Sequence, residues 1–176
     1  MAQVLQLFLD KLDTPVGRIF LAVDAEGSLR ATHFTDDPET LRPVLVHHYG
    51  KNGFSLEPSK NPGGVTATLE SYFAGELGAI DRIAVQTTGT EFQQKVWRAL
   101  REIPCGTTTS YGKLAVLIGH PAAVRAVGLA NGSNPIGVVV PCHRVIGSNG
   151  SLTGYGGGIE RKRWLLKHES KLPLFG

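Results

Sequence analysis

The stretch NPIGVVVPCHRVI, residues 134–146, joins an apolar run to three reactive side chains. Its β-branched residues at 136–140 predict a buried strand, because short apolar runs rich in valine and isoleucine are typical of core strands. Cys142, His143 and Arg144 would then follow at the end of that strand. Catalytic side chains often lie where a rigid element gives way to a loop. This stretch is therefore the candidate active site.

Cys142 is the candidate nucleophile. A free thiol has a pKa of about 8.5 and is only slightly ionised near neutrality, so a nucleophilic cysteine needs a base or nearby cations. The adjacent imidazole and guanidinium groups of His143 and Arg144 would favour the thiolate. A buried structural cysteine is the more common explanation for such a pair taken alone.

The residues before this stretch predict three helices. Thr90 begins a capping-box pattern for a helix over 91–102. Ser110 can cap a short helix over 111–118, and a third helical run extends from 122 to 130. Two short helices joined by a tight turn are typical of a helix-turn-helix.

A glycine-rich segment and a basic helix follow the stretch. Residues 147–158 contain six glycines, which predict a flexible loop. The final helix contains Trp164 and Glu169.

The first half of the chain has a different pattern. Strand-like runs at 3–12, 18–24 and 28–34 are separated by turn residues and predict a β-meander. Apolar residues at helical spacing begin at Leu41 and again near Leu69, so we expect two helices to cover the sheet. No chemical constellation is found there.

Charge separates the two halves of this 176-residue chain, which has a net charge of +3. Residues 1–85 carry a net charge of −4 and residues 86–176 one of +7. We therefore predict an α/β support domain over 1–85 and a functional domain over 86–176. The basic domain favours a polyanion such as nucleic acid, and an ordinary solvated surface is the alternative. The side chains expected to supply the positive field are Arg125, Arg144, Arg161, Lys162, Arg163 and Lys167.

Composition argues against several other classes of protein. A content of 41% hydrophobic and 19% charged residues is unlike that of disordered chains. Cys105 and Cys142 show no CxxC spacing, which predicts neither a disulfide framework nor a zinc site. No apolar run approaches the roughly 20 residues that span a bilayer, and the first residues lack the pattern of a secretory signal. We expect a cytoplasmic protein with no metal and no membrane partner.

Three motifs together resemble the O6-alkylguanine-DNA alkyltransferase family. They are the stretch at 134–146, Arg-Ala-Val-Gly at 125–128 and Gly-Tyr-Gly-Gly-Gly at 154–158, and the similarity covers residues 88–170. The resemblance implies transfer of an alkyl group from O6 of guanine in double-stranded DNA to the protein's own cysteine, once per molecule and without a cofactor. We expect a monomer. Cooperative binding along DNA and activity on O4-alkylthymine stay open.

The resemblance also implies a fold. The N-terminal α/β domain would have a small antiparallel sheet with helices, of the ribonuclease-H-like type. The C-terminal domain would be mainly α, with a helix-turn-helix of the winged-helix type.

The family pattern implies catalytic roles for five residues. Cys142 would accept the alkyl group, His143 would take the thiol proton through a bound water, and Glu169 would complete this relay. Tyr111 would relieve the charge on the leaving guanine and help to rotate the nucleotide. Asn134 would tie the helix-turn-helix to the predicted active-site strand.

The same resemblance implies a pocket for the damaged base. The backbone carbonyls of Cys142 and Val145 would receive the guanine amine, and Tyr155 would form an aromatic wall. The backbone N–H of Gly156 would point toward O6. Serine or alanine often stands at the position of Gly156, and this departure bears on the tolerance of bulky alkyl groups.

The implied approach to DNA is through the minor groove. Arg125 would fill the space left by the flipped nucleotide. Ala122, Ala123 and Ala126 would let their helix lie deep in the groove. Sequence preference should be weak, because the minor groove offers a degenerate code.

Two other functions use parts of the same pattern. A damage sensor would bind and flip alkylated guanine without accepting the group, but the presence of Cys142 argues against it. A cysteine hydrolase would use the same Cys-His-Glu chemistry on a small ester or amide, and the helix bearing Arg125 would then be superfluous.

Overall fold

The computed structural model describes residues 3–170, which divide into two units. The first unit ends at Thr88 and the second begins at Gly89. Within the described part of the chain, none of the helices combines the length and the apolar character needed to cross a membrane.

The first unit is built on a four-stranded sheet. Strands β1 (Leu5–Thr14), β2 (Gly17–Asp24) and β3 (Leu29–Phe34) are antiparallel neighbours, which confirms the predicted meander. Strand β4 (Phe54–Pro58) pairs in parallel with β1, so the order is β3-β2-β1-β4 and the sheet is mixed rather than wholly antiparallel. Strand β4, a run of five residues, was not predicted from the sequence.

Two helices cover opposite faces of this sheet. They are α1 (Arg42–Tyr49) and α2 (Val65–Phe73), accompanied by 3-10 helices at Pro38–Thr40, Pro62–Gly64 and Leu77–Arg82. Leu45 of α1 packs with Leu7 of β1 in an apolar core. Thr66 of α2 donates a hydrogen bond of 2.6 Å to Asp10 of β1. Since side chains alternate along a strand, Leu7 and Asp10 lie on opposite faces.

The second unit is mainly helical, as predicted. Its helices are α3 (Glu91–Arg101), α4 (Tyr111–Leu117), α5 (Val124–Gly132) and α6 (Ile159–Glu169). The predicted capping box is present, with Thr90 and Gln93 joined by reciprocal hydrogen bonds of 2.9 and 3.1 Å. Ser110 caps α4 through the N–H of Lys113 at 3.1 Å.

Helices α4 and α5 form the predicted helix-turn-helix, although α5 begins two residues later than predicted. The buried indole N–H of Trp97 donates to the carbonyl of Ala130 at 2.8 Å. This bond holds α5 against α3, so the outer face of α5 is presented by a fixed support.

Residues 136–140 do not form the predicted strand. The N–H of Val140 donates to the carbonyl of Ile136 at 2.9 Å and closes a turn. The Asn134 side chain brackets it, donating to the Val140 carbonyl at 2.8 Å and accepting from the Ile136 N–H at 2.9 Å. A strand needs a neighbour to pair its backbone groups, whereas Asn134 supplies partners here. Buried Val138 has φ of +74°, a conformation that β-branched residues rarely adopt.

Two short strands complete the second unit. Strand β5 (Thr109–Ser110) pairs in parallel with β6 (Val145–Ile146). A 3-10 helix, Cys142–Arg144, lies directly before β6. The reactive residues therefore lie between a closed turn and a strand, and not at the carboxyl end of a strand.

Candidate active site

Cys142 lies in the interior of the second unit, with 8% of its surface exposed. Its N–H donates to the carbonyl of Val140 at 2.8 Å. Burial raises the pKa of the Cys142 thiol, while the Asn134 side chain and the charge of Lys162 act in the opposite direction. The sequence predicted that His143 and Arg144 would favour the thiolate; in the structure the nearby cation that does so is Lys162.

The carboxylate of Glu169 binds His143 and Arg144 at the same time. Its Oε1 accepts from His143 Nε2 at 3.0 Å and from Arg144 Nε at 2.9 Å, and its Oε2 accepts from Arg144 Nη2 at 2.8 Å. Burial acts to raise the pKa of Glu169, but the hydrogen bonds from Arg144 and His143 hold it far below its usual range. Glu169 is therefore ionised and only accepts hydrogen bonds.

His143 is fully buried and has one ring nitrogen without a partner. Because Glu169 only accepts, the proton of the neutral imidazole lies on Nε2 and Nδ1 is the bare acceptor. Nδ1 is buried and has no hydrogen-bond partner. Burial lowers the pKa of His143, and the charges of Arg144 and Lys162 add to this effect, while Glu169 opposes it. The ring is thus a neutral base on the residue that directly follows Cys142 in the chain.

Arg144 fixes the carboxylate in place. Its Nη1 donates to the carbonyl of Ile103 at 2.7 Å, in addition to the two bonds to Glu169. Only 1% of Arg144 is exposed. This clamp orients Glu169, which in turn orients the ring of His143.

Lys162 ties the glycine-rich segment to the strand after Cys142. Its Nζ is buried and donates to the carbonyls of Val145, Thr153 and Gly154 at 2.7, 2.9 and 3.4 Å. Burial lowers the pKa of Lys162, while the charge on Cys142 acts to raise it. One helix residue thus holds together two segments that flank the thiol.

Arg161 adds a second tie from the same helix. Its Nη1 donates to the carbonyl of Gly157 at 2.9 Å. The loop predicted to be flexible is therefore anchored at both Gly154 and Gly157.

Asn131 reaches the site from α5. It is 5% exposed, and its Nδ2 donates to the carbonyl of Cys142 at 3.5 Å. Its Oδ1 is buried without a hydrogen-bond partner. Helix α5 is thus in direct contact with the backbone of Cys142.

Two tyrosines border the site on the side of the glycine-rich loop. The ring of Tyr155 meets that of His143 edge to face, with centroids 6.4 Å apart. Burial raises the pKa of Tyr155 well above its usual value, and the charges of Cys142 and Glu169 add to this effect. The hydroxyl of Tyr111 donates to the carbonyl of Thr153 at 3.2 Å.

The other residues expected at the base pocket differ in exposure. Val145 is buried, and its carbonyl already accepts from Lys162. Gly156 is exposed, and a Cβ added there would meet no atom within 4 Å.

The residues expected to contact DNA lie on or just before α5. Arg125, Ala122 and Ala126 are exposed and Ala123 is half-buried. The bond from helix α5 to the backbone of Cys142 comes from Asn131.

The predicted positive field is wrong for two of its six members. Arg144 and Lys162 are buried, and their charges are engaged by a carboxylate and by carbonyls. Arg163 is exposed but pairs with a neighbouring glutamate. Arg125 and Lys167 stay exposed, so the surface charge is smaller than the sequence predicted.

The sequence did not indicate that Arg144 would bind Glu169, that Lys162 would bind backbone carbonyls or that Asn131 would reach Cys142. A signal existed for Lys162, because it shares one face of α6 with buried Leu165 and Glu169 at spacings of three and seven residues. Asn131 and Arg144 gave no such signal. Within residues 3–170, no group of three or more His, Cys, Asp and Glu side chains could hold a metal ion.

Comparisons with known proteins identify similar chains. Residues 91–171 match the family described as 6-O-methylguanine DNA methyltransferase, DNA binding domain. A relative from Shigella flexneri, named methylated-DNA--protein-cysteine methyltransferase, is 49% identical over 97% of this chain and 100% of its own length. One of the same name from Methanosarcina acetivorans is 47% identical over 89% of this chain and 94% of its own.

Solved structures are similar over the same extent. The crystal structure of Mycobacterium tuberculosis O6-methylguanine methyltransferase has a TM-score of 0.75 and 40% identity, covering 98% of this chain and 97% of that one. The structure of Mycobacterium tuberculosis OGT in complex with DNA has a TM-score of 0.75 and 41% identity, covering 96% of each. Similarity of this degree over nearly the whole length confirms the resemblance, and the chain belongs to the methylated-DNA--protein-cysteine methyltransferase family.

Proposed function

We propose that this protein repairs alkylated DNA by direct reversal, in which Cys142 takes the alkyl group from O6 of guanine in double-stranded DNA and keeps it. The observation that carries this proposal is His143, a neutral base next to Cys142 with its Nε2 bound to ionised Glu169 and its Nδ1 without a partner. The name shared by the relatives, and the DNA bound to one related structure, support the substrate.

The first step moves the thiol proton to His143. Glu169 keeps the other ring proton on Nε2, so Nδ1 accepts the proton of Cys142 through a bound water. The imidazolium that results lies 3.0 Å from the carboxylate of Glu169, which stabilises it. Lys162 favours the thiolate that remains.

The second step is displacement at the alkyl carbon. The thiolate of Cys142 forms a bond to that carbon, the bond from carbon to O6 breaks, and its electron pair stays on guanine. Tyr111 relieves the resulting negative charge by turning its hydroxyl from the carbonyl of Thr153 to the guanine, to which it donates. The thioether has no route back to the thiol, so each molecule acts once.

The flipped base lies in a pocket beside Cys142. Tyr155 supplies an aromatic wall, and the carbonyls of Cys142 and Val145 accept from the guanine amine. The Val145 carbonyl bonded to Lys162 still has a second lone pair for this purpose. The Gly156 N–H faces O6.

Asn134 has a positioning role in this proposal. It brackets the turn at 136–140, which leads directly into Cys142. The backbone of Cys142 is therefore held in a fixed position for the attack of its thiolate on the alkyl carbon.

Helix α5 enters the minor groove. Arg125 occupies the space of the flipped nucleotide, and Ala122, Ala123 and Ala126 allow a close approach to the sugar edges. Their exposure and the firm seat of α5 on α3 support this assignment. In this proposal residues 86–176 are the DNA-binding and alkyl-transfer domain, and residues 1–85 are its support. The protein acts on DNA in the cytoplasm.

The direct test is to incubate the protein with a duplex containing O6-methylguanine and to analyse the peptide holding Cys142 by mass spectrometry. We expect one methyl group on Cys142 per molecule and then no further reaction. A peptide without the methyl group would indicate a sensor, and turnover without a mark would indicate a hydrolase. Either result would overturn the proposal.

Replacing Arg125 tests the approach to DNA. We expect Arg125→Ala to slow repair of duplex DNA far more than reaction with the free O6-methylguanine base, because only the duplex needs its nucleotide flipped. Arg98→Ala, at an exposed arginine of α3, is the control. Equal losses on both substrates would contradict the role of Arg125.

A further inference from the structure

Two buried side-chain atoms in residues 3–170 have no hydrogen-bond partner, Oδ1 of Asn131 and Nδ1 of His143. Buried polar atoms are nearly always paired, so each such atom needs an explanation. Both residues adjoin Cys142: Asn131 donates to its carbonyl, and His143 follows it in the chain. The two exceptions thus occur together at the reactive residue.

Both atoms are acceptors. The Nδ2 of Asn131 faces a carbonyl oxygen, which requires a donor there and leaves Oδ1 on the other branch of the amide. The Nδ1 of His143 is bare because the ring proton lies on Nε2. Two acceptors cannot bond to each other, but one water molecule can donate a hydrogen to each.

We propose that Asn131 is a positioning residue for the alkyl transfer, because its Oδ1 and the Nδ1 of His143 accept the two hydrogens of one water whose oxygen accepts from the thiol of Cys142. This inference rests on the proposed function and deepens it. In the step itself the Cys142 proton passes to the water, and the water passes one of its own hydrogens to Nδ1. The products are a thiolate, an imidazolium and the same water, still bonded to Asn131.

The arrangement gives the water a fixed orientation. A water held only by His143 could rotate and direct its lone pairs away from the thiol, whereas two accepted hydrogens direct them toward it. Asn131 lies on α5, the helix whose outer face carries Arg125, so the proposed DNA-binding helix also holds the relay water.

The test must separate the effect of the water on Cys142 from the effects of the other ionisable groups around that residue. Those groups are His143 and Arg144 next in sequence, Glu169 and Lys162 from α6, and Tyr155 from the loop. A double-mutant cycle does this, because two residues that bind one water give effects that do not add.

The experiment compares Asn131→Leu, His143→Phe and the double variant in the full chain. The rate constant for methyl transfer from an O6-methylguanine duplex is measured across pH, and reaction of Cys142 with iodoacetamide is measured without DNA. We expect Asn131→Leu to slow transfer about tenfold, the size of one lost hydrogen bond, and to move the reactivity of Cys142 to higher pH. In the His143→Phe background the same change should have almost no effect.

Asn52→Leu, at an exposed asparagine of the first unit, is the matched control and should leave both rates unchanged. Equal losses from Asn131→Leu with and without His143 would overturn the inference. If the parent protein gains no methyl group on Cys142, the proposed function itself is wrong. If the parent protein gains the methyl group but the effects of the two substitutions add, the bridging water is contradicted and the proposed function is not.

A second variant covers the case in which Asn131→Leu does not fold. Asn131→Ser shortens the side chain, and nitrogen NMR of histidine-labelled protein reads the ring of His143 directly. We expect the Nδ1 resonance to shift while that of Nε2, bound to Glu169, stays in place. An unchanged Nδ1 resonance in folded protein would overturn the inference.

Discussion

The two units bury charge in different ways. In the first unit, buried Asp24 accepts from Arg30 at 2.7 Å and from the backbone N–H groups of Glu26 and Ser28, while the Arg30 side chain keeps 14% of its surface exposed. In the second unit, the fully buried or nearly fully buried side chains with charged or ionisable groups are His143, Arg144, Lys162 and Glu169.

This difference shows what each unit is organised to do. Removing ions from water costs more than their attraction returns unless every group is paired. The first unit limits this cost to one pair that closes a turn, and its sheet is covered by apolar packing. The second unit bears this cost for three ions, Arg144, Lys162 and Glu169, because fixed charges around Cys142 hold a reactive thiol in one geometry.

The largest effect on stability is expected from removal of Arg144. Arg144→Met removes two of the hydrogen bonds to the buried carboxylate of Glu169, and we expect a loss of about 3–5 kcal/mol in the free energy of unfolding by urea. Arg82→Met, in an exposed pair with Glu76, should cost at most about 1 kcal/mol. Similar losses in both variants would break the comparison.

Removal of Lys162 should have a smaller effect on stability and a clear effect on the thiol. Lys162→Met frees buried carbonyls, at a cost of about 1–3 kcal/mol. It also removes the cation that favours the thiolate, so Cys142 should react more slowly with iodoacetamide at neutral pH. Lys167→Met, at an exposed lysine of the same helix, is the control; equal reactivity in the two variants would contradict this role of Lys162.

The pH dependence of stability compares one histidine from each unit. Burial lowers the pKa of both His143 and His48 in the folded protein. The unfolded chain, with a histidine pKa of about 6.5, then binds more protons, so stability is lost as pH falls through that value. We expect His143→Gln to remove more of the fall in Tm between about pH 7 and pH 5 than His48→Gln, because His143 is fully buried. If both substitutions remove the same part of the fall in Tm, the two units do not differ in how burial of a histidine affects stability.

The smallest expected effect is at Gly156. A Cβ added there meets no atom within 4 Å, so Gly156→Ala should change the free energy of unfolding by less than about 0.5 kcal/mol. Its effect should instead appear in the relative rates for methyl and bulkier alkyl groups. Gly63→Ala in the first unit is the contrast, because φ is +61° and a Cβ would lie 2.9 Å from the Cα of Gly27. A destabilised Gly156→Ala would contradict the open space at this position.

Local signals predicted much of the fold. Thr90 and Ser110 cap their helices as expected, since a capping side chain acts on backbone groups only two or three residues away. The meander was also predicted, because its strands are runs of six or more residues that are joined by short turns. Cys142, His143 and Glu169 were singled out through the family resemblance, and in the structure His143 and Glu169 are hydrogen-bonded.

Nonlocal contacts could not be predicted in the same way. The run at 136–140 has the composition of a strand, but the Asn134 side chain closes it into a turn. Arg144 and Lys162 read as surface charges, because their partners lie 25 and 17 residues away in the chain. Burial of an ion depends on where those partners arrive, and composition does not record this.

The bond between His143 and Glu169 spans 26 residues, and it has a consequence for biosynthesis. Chains are made from the amino end at about 5–20 residues per second, so roughly 1–5 seconds separate synthesis of the histidine from that of its carboxylate. During that interval a nascent chain carries the cysteine without its activated base. The pair of His143 and Glu169 is therefore assembled only after the ribosome has added α6.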